Sequence, residues 1–367
     1  MTQGGPTKSC VFCGQEPDSK TLEHVIPRWL IEMTGSPNRV VQFGFDFQRG
    51  TPRKFAFDQF RVPACRSCNG RFSELESKAK ITVRKILDRS PMTQSDFDLL
   101  LDWLDKVRVG LWIAYRLLDR DRWGVRPHFH VEKRIAANDR LLVLTMTDYG
   151  RKGTAFLGVH TPAFQLLPSC FALIINDFCF FNISRDSLLS RRMGFPFPEK
   201  REFRDEDDNT VVVMRDGLKK IRRPFLRKRF LVPGVEFYQV MFGEPMGWEE
   251  CREWYGSHYV IENSLDWERG KGKVFMQGNG RLAPYPDEPS EKWIPETMLE
   301  YKSCCRELDL QVLGFQNYLL ANMPSMRSLS EEEKSLWRTN IKGATEVNRI
   351  LMDKMRAAWE EQRAGDG

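Results

Sequence analysis

The chain has 367 residues, 41% of them hydrophobic and 29% charged, the balance of an ordinary globular protein with length for two or three domains. No apolar run approaches the roughly 18 residues of a membrane span, and the polar, glycine-rich start Met1 to Ser9 lacks the apolar core of a secretory signal, so a cytoplasmic protein is expected. The formal net charge is +6, and residues 1–90, with 15 basic against 9 acidic side chains, hold the entire excess, because 41 of each remain in residues 91–367.

The first chemistry-bearing element is Cys10-Val11-Phe12-Cys13, matched much later by Cys65-Arg66-Ser67-Cys68. Each spacing lets two thiolates converge on one tetrahedral ion, and in a reducing compartment such pairs are metal ligands more often than disulfides. A structural zinc on Cys10, Cys13, Cys65 and Cys68 is expected. The bland alternative is a set of buried small hydrophobes or a redox pair. The 51 residues between Cys13 and Cys65 exceed the span of a compact zinc ribbon, so the interval must contain structure of its own.

That interval opens on Thr21-Leu22-Glu23-His24-Val25-Ile26-Pro27, with a carboxylate beside an imidazole. Arg39 to Phe47 and Arg53 to Val62 then read as two strands of a hairpin joined by Gln48-Arg49-Gly50-Thr51-Pro52. Antiparallel pairing returns the chain to its start, so the insertion leaves the zinc ligands undisturbed. From Asn69 onward, helical spacing gathers Phe72, Leu75, Ala79, Val83 and Ile86 on an apolar face and Asn69, Ser73, Glu76 and Lys80 on a polar one.

With Glu23-His24-x-x-Pro27 as first element and Cys65-x-x-Cys68-Asn69 as second, the chain resembles the HNH endonucleases of the ββα-metal class, in their zinc-knuckle variety. The resemblance covers about the first ninety residues. It implies that His24 is a general base, that Glu23 and Asn69 bind a catalytic divalent metal, Mg²⁺ or Mn²⁺, and that the substrate is DNA. A neutral imidazole with a pKa near its ordinary value of about 6.5 suits the first role, and hard oxygen donors suit the second. Glu76 is a further candidate oxygen donor. Two departures stand out: Ser73, a poor ligand, occupies the place of the family's final histidine, and the middle asparagine has only Asn38 as a candidate. Arg49, Arg53, Lys54, Arg61 and Arg71 are the candidate phosphate contacts.

Beyond Ser90-Pro91 the chain reads as mixed α+β. Asp96 to Arg120 has helical spacing, while Leu141 to Thr147, Thr154 to Val159 and Phe171 to Ile183 read as strands, the last either bent or turned into a hairpin by Asn176-Asp177. Arg215 to Phe230 holds eight Lys and Arg with Phe225 and Phe230 between them, either a second nucleic-acid surface or a solvated face. The acidic stretch Glu202 to Asp208 reads as a loop. His128, His130, His160 and His258, like Cys170, Cys179, Cys251, Cys304 and Cys305, lack ligand spacing. The C-terminal stretch, about 295–363, is helical in two parts, Pro295 to Met323 and Ser330 to Arg363. The second opens on the capping box Ser330 to Glu333 and carries the stripe Trp337, Ile341, Ala344, Val347, Leu351, Met355 and Ala358. That stripe suits packing within the chain, a homodimer or a partner protein.

The expected fold is therefore α+β: an N-terminal ββα-metal module with a zinc knuckle, residues 1–90, and an α+β region, 91–367, for recognition, regulation or assembly. The expected activity is metal-dependent hydrolysis of DNA phosphodiester bonds, with an effector role in microbial defence. The alternative is a non-catalytic zinc-containing nucleic-acid-binding protein in which Glu23 and His24 only brace the fold.

Overall fold

A computed structural model describes residues 9–19, 21–46, 49, 51–118, 127, 129–148, 152–185, 188–189, 199–204, 206–207, 210–215, 234–241, 271–278, 281–294, 302–322 and 330–365. His128, Cys251, His258 and the basic run after Arg215 lie outside them.

In the N-terminal part, β1 (Thr21–His24) pairs antiparallel with β4 (Arg61–Ala64), and β4 passes through Cys65 into α2 (Arg66–Leu87). Between the two strands lie α1 (Arg28–Met33) and the antiparallel hairpin of β2 (Val40–Asp46) and β3 (Thr51–Ala56). The run read as one strand from Arg53 to Val62 is in fact β3 and β4 separated by a tight 3₁₀ turn, Phe57–Gln59. Burial explains the break: Phe57 is driven into the core, where its N–H donates to Arg39 O at 3.0 Å and that of Asp58 to Pro37 O at 3.2 Å.

In α2 the side chains of Phe72, Ala79, Val83 and Ile86 are buried, as the spacing predicts. On the polar stripe Glu76 turns inward toward α3 (Gln94–Leu118). α3 buries Trp103, Leu104, Val107, Leu111 and Trp112, together with Asp105, Lys106 and Arg108.

An eight-stranded sheet follows, in the order β13-β12-β11-β5-β8-β7-β6 with β14 (Lys302–Ser303) parallel to β5. Its members are β5 (Asp139–Thr147), β6 (Thr154–Leu157), β7 (Cys170–Ile175), β8 (Phe178–Arg185), β11 (Val235–Met241), β12 (Lys271–Gly278) and β13 (Arg281–Pro284). Every residue of β5, β7 and β8 is buried, which is why they read as apolar runs without alternation. Asn176, at φ 55°, makes the tight turn between β7 and β8. One face, with Leu142, Leu144, Leu173 and Phe237, packs on the core that includes α3, α2 and Phe12. The other, with Leu141, Val143 and Phe181, packs on Leu308, Val312 and Phe315 of α5 (Cys305–Ala321), the helix that follows the short α4 (Pro162–Leu166) in chain order.

Of the acidic stretch read as a loop, Glu206 and Asp207 lie in the turn of a small hairpin, and Glu202 lies on its first strand, β9 (Glu199–Arg204), which pairs with β10 (Thr210–Arg215). α6 (Glu331–Gly365) starts at the expected capping box, Ser330 N donating to Glu333 Oε2 at 2.8 Å and Glu333 N to Ser330 Oγ at 3.2 Å. Its inner face centres on Ala344 and on Asn348, whose amide donates to Gln316 Oε1 of α5 at 3.1 Å. Val347 and Ala358, expected on that face, are exposed. The chain around Ser90 is pinned by Trp293, whose Nε1 donates to Ser90 O at 3.1 Å. Among the described residues no helix is long and apolar enough to cross a membrane.

Candidate metal centre and active site

The first cysteine pair sits in a tight loop, and the second spans the last residue before α2 and its first turn. Gly14, at φ 80°, closes the loop; a Cβ there would collide with the His130 ring. The loop is stitched to both sides by Val11 N to Pro63 O, 2.9 Å, and Glu132 N to Phe12 O, 3.0 Å. In consequence the sulfurs of Cys10, Cys13, Cys65 and Cys68 all lie within 4.8 Å of one another, close enough to hold a metal ion such as zinc.

Electrostatics favours an ion there. Burial, the hydrogen bond to Cys13 and the charges of Cys10 and Cys13 push the Cys68 thiol up to about 12. Cys10 moves the other way: burial opposes its ionisation, but the bonds donated by the backbone around Cys13, Cys65 and Phe12 outweigh it. Four thiolates cannot share so small a space without a cation, and Zn²⁺ supplies one.

Glu23 and His24, adjacent in sequence, leave β1 on opposite sides, as strand geometry requires. His24 is half-buried, opposite Arg61 in the β1–β4 register. Its Nε2 lies 3.0 Å from Asp58 O and 3.0 Å from Arg61 Nε, while Arg61 Nε donates to the same carbonyl at 2.8 Å. The two contacts at Nε2 ask for opposite tautomers: donation to the Asp58 carbonyl leaves Nδ1 its lone pair, whereas acceptance from Arg61 Nε puts the proton on Nδ1. Nδ1 has no hydrogen-bond partner among the described residues. Burial and the Arg61 charge hold the His24 pKa below 6.5, against the Asp58 carbonyl and the charge of Glu23.

The turn bearing Asp58 is tied by backbone bonds to Pro37 and Arg39, and the Arg39 side chain, which sequence reading missed, fastens that segment to the end of α1. Arg39 Nη1 donates to Ile31 O and Ser36 O, both at 2.9 Å, and Nη2 to Thr34 Oγ1 at 2.7 Å. Its neighbour Asn38, the sequence candidate for steadying this loop, is exposed and makes no side-chain hydrogen bond among the described residues.

Glu23 is buried and ion-paired with Lys106 of α3, Nζ to Oε1 at 2.7 Å. The same ammonium pairs with Glu76 Oε1 of α2 and lies 5.7 Å from the ring of Phe12, which stacks on Phe72. Burial, reinforced by Glu23, raises the Glu76 pKa despite Lys106. The structure thus brings Glu23 and Glu76 together, as sequence suggested, but through a lysine that sequence did not single out. Asn69 stands in the first turn of α2, half-exposed and with no side-chain partner among the described residues. Besides the four cysteines, no group of three His, Cys, Asp or Glu side chains among the described residues converges tightly enough for a metal.

Of the basic candidates, Arg61 touches His24, Arg49 lies in the turn of the β2–β3 hairpin, and Arg53 and Lys54 lie on β3. Arg71 pairs with Glu132 at 2.8 Å. An open cavity of about 660 Å³ adjoins this hairpin, lined by Phe43, Phe57 and Phe156 with Arg39, Lys152 and His160 and, among the described residues, by no carboxylate.

Comparison of the chain with protein-family models, with curated proteins and with solved structures returned no match.

Proposed function

We propose that the protein is a metal-dependent endonuclease of the HNH type, a cytoplasmic enzyme that hydrolyses DNA phosphodiester bonds. The observation that carries the reading is His24, whose Nε2 is held by the Asp58 carbonyl and Arg61 while Nδ1 has no hydrogen-bond partner among the described residues. It stands on a strand whose partner runs straight into the four-cysteine cluster and α2. Under this reading β1, β4 and α2 are the ββα unit, and the cysteines hold a structural zinc.

His24 Nδ1 takes a proton from the attacking water, its lowered pKa keeping it neutral at cellular pH. Arg61, beside the ring, attracts the phosphate and disfavours premature protonation of the base. Glu23 and Asn69, with Glu76, offer the hard oxygen donors that Mg²⁺ or Mn²⁺ prefers and would hold that ion. When bound, it supplies charge stabilisation at the phosphate and the leaving oxygen. Arg49, Arg53 and Lys54 lie on the same insertion as the Asp58 turn and are suited to positioning the backbone. α6 offers a surface for a homodimer or partner, which double-strand cutting by a single-strand site would use. An effector role in microbial defence fits this division of labour.

One observation favours a second reading. Glu23 is already neutralised by Lys106, as it would be in a zinc-containing nucleic-acid-binding protein whose motif residues brace the fold. Incubation of the protein with supercoiled plasmid and Mg²⁺ or Mn²⁺, with and without EDTA, decides between them. The nuclease reading expects metal-dependent nicking that His24→Ala abolishes; DNA binding without cleavage in any metal supports the second.

A further inference from the structure

α3 presents two sets of buried charges to its neighbours, and they differ in balance. Toward the sheet, Asp98, Asp102 and Asp105 meet Arg108, Arg140 and Lys271, three against three. Toward the motif, Glu23 and Glu76 share the single ammonium of Lys106, which is 3% exposed. With both carboxylates ionised one negative charge is left inside the protein, an imbalance whose cost shows in the raised Glu76 pKa. Lys106 contacts one oxygen of each carboxylate, so each keeps a second oxygen for another cation. A divalent ion added beside Lys106 would turn the excess from one negative charge to one positive. A phosphodiester, carrying one negative charge, would restore neutrality.

We infer that Lys106 is a built-in counter-cation that keeps divalent metal from the Glu23 and Glu76 carboxylates until a nucleic-acid phosphate arrives, so that metal and nucleic acid load together. The inference rests on the nuclease reading and deepens it. It assigns Lys106 a role through the carboxylates it holds, not through contact with substrate. A consequence is that free metal ions do not charge the site in the absence of nucleic acid.

The test is a titration with Mn²⁺, followed by electron paramagnetic resonance of the free ion. It uses the full chain in a His24→Ala background so that nothing is cut, with and without a short DNA duplex. With Lys106 present, the duplex should tighten Mn²⁺ binding by ~10-fold or more. Lys106→Met should bind Mn²⁺ ~10-fold more tightly without DNA, and the duplex should then add little. A lysine that merely supports the fold predicts the opposite, weaker binding when it is lost. Unchanged or weaker Mn²⁺ binding by a folded Lys106→Met protein overturns the inference. Should that variant fail to fold, Mn²⁺ affinity that is indifferent to DNA in the Lys106 protein overturns it equally. Glu23→Gln separates the two levels: if it leaves Mn²⁺ binding intact, the ion lies elsewhere and the metal half of the nuclease reading falls as well.

Discussion

Asp105 of α3 and Arg140 of β5 meet at 3.0 Å with both side chains wholly removed from solvent. Asp102, at 2.6 Å from another nitrogen of Arg140, and Lys271, at 2.6 Å from Asp102, extend the contact into a lattice of charge that welds helix to sheet. Removing one partner of such a buried set strands the others, at a cost of about 3–5 kcal/mol. Arg140→Met should lower unfolding free energy by about that amount in a urea titration, whereas Arg349→Met, in an exposed pair on α6, should lie within about 0.5 kcal/mol of the parent.

The same lattice predicts acid lability. Burial opposes ionisation of Asp102, but Arg140 and Lys271 outweigh it and hold its pKa below the ordinary 3.8. Because the folded value is the depressed one, the stabilisation is complete above the unfolded pKa and is lost as pH falls through the folded one. Unfolding free energy measured between pH 5 and pH 2 should decline through this window, and Asp102→Asn should flatten that decline.

Elemental analysis of the purified chain should give one zinc for each molecule. Structural zinc contributes on the order of 10 kcal/mol to a small module, so Cys65→Ser should express poorly or lose the cooperative unfolding of the N-terminal part. Gly14→Ala, which leaves all four thiols in place, should also weaken zinc retention during dialysis against a chelator, because the ligand loop can no longer close against His130. A folded and active preparation free of zinc would refute the assignment.

For the proposed chemistry, His24→Ala should retain zinc, circular dichroism and DNA affinity while losing cleavage by ~100-fold or more. Asn69→Ala should be partly rescued by higher Mg²⁺ or Mn²⁺. Since His24 must be neutral to accept a proton and its pKa is lowered from 6.5, the acid limb of the pH profile of kcat/KM should lie below pH 6.5. A limb above that value would identify some other group as the base.

Phosphate-dominated binding weakens with salt in proportion to the number of contacts. Neutralising Arg49, Arg53 and Lys54 together should flatten the logarithmic salt dependence of DNA binding by up to about three. Neutralising Lys219, Lys220, Arg222 and Arg223 applies the same measurement to the second basic run. A change confined to that second set would make the C-terminal region the principal DNA reader.

Spacing alone located the four thiols, periodicity located α2 and α3, and the Asn176-Asp177 pair marked a bend or turn, because each depends on residues close in sequence. The charges of α3 were hidden for the opposite reason. Asp98, Asp102 and Lys106 recur every four residues, the pattern of a solvated helix face, and only the distant chain segments carrying Glu23, Arg140 and Lys271 turn that face into an interior. Arg39 was overlooked beside Asn38 because its value lies in the backbone carbonyls it gathers, which no side-chain motif records. Likewise the break between β3 and β4 follows from the burial of Phe57, a tertiary event.

The placement of Lys106 bears on how such a protein can be assembled from parts. A gene cut after Ser90 would encode every motif residue yet omit the lysine between Glu23 and Glu76 and the segment at Val131 and Glu132 that holds the first cysteine loop. Two carboxylates would then lack the cation that holds them together, and the loop would lose one of its walls. Recombination that exchanges the C-terminal region for another therefore has to bring a helix with a cation at the matching height. The motif is in this sense not portable by itself: its inheritance is tied to that of α3.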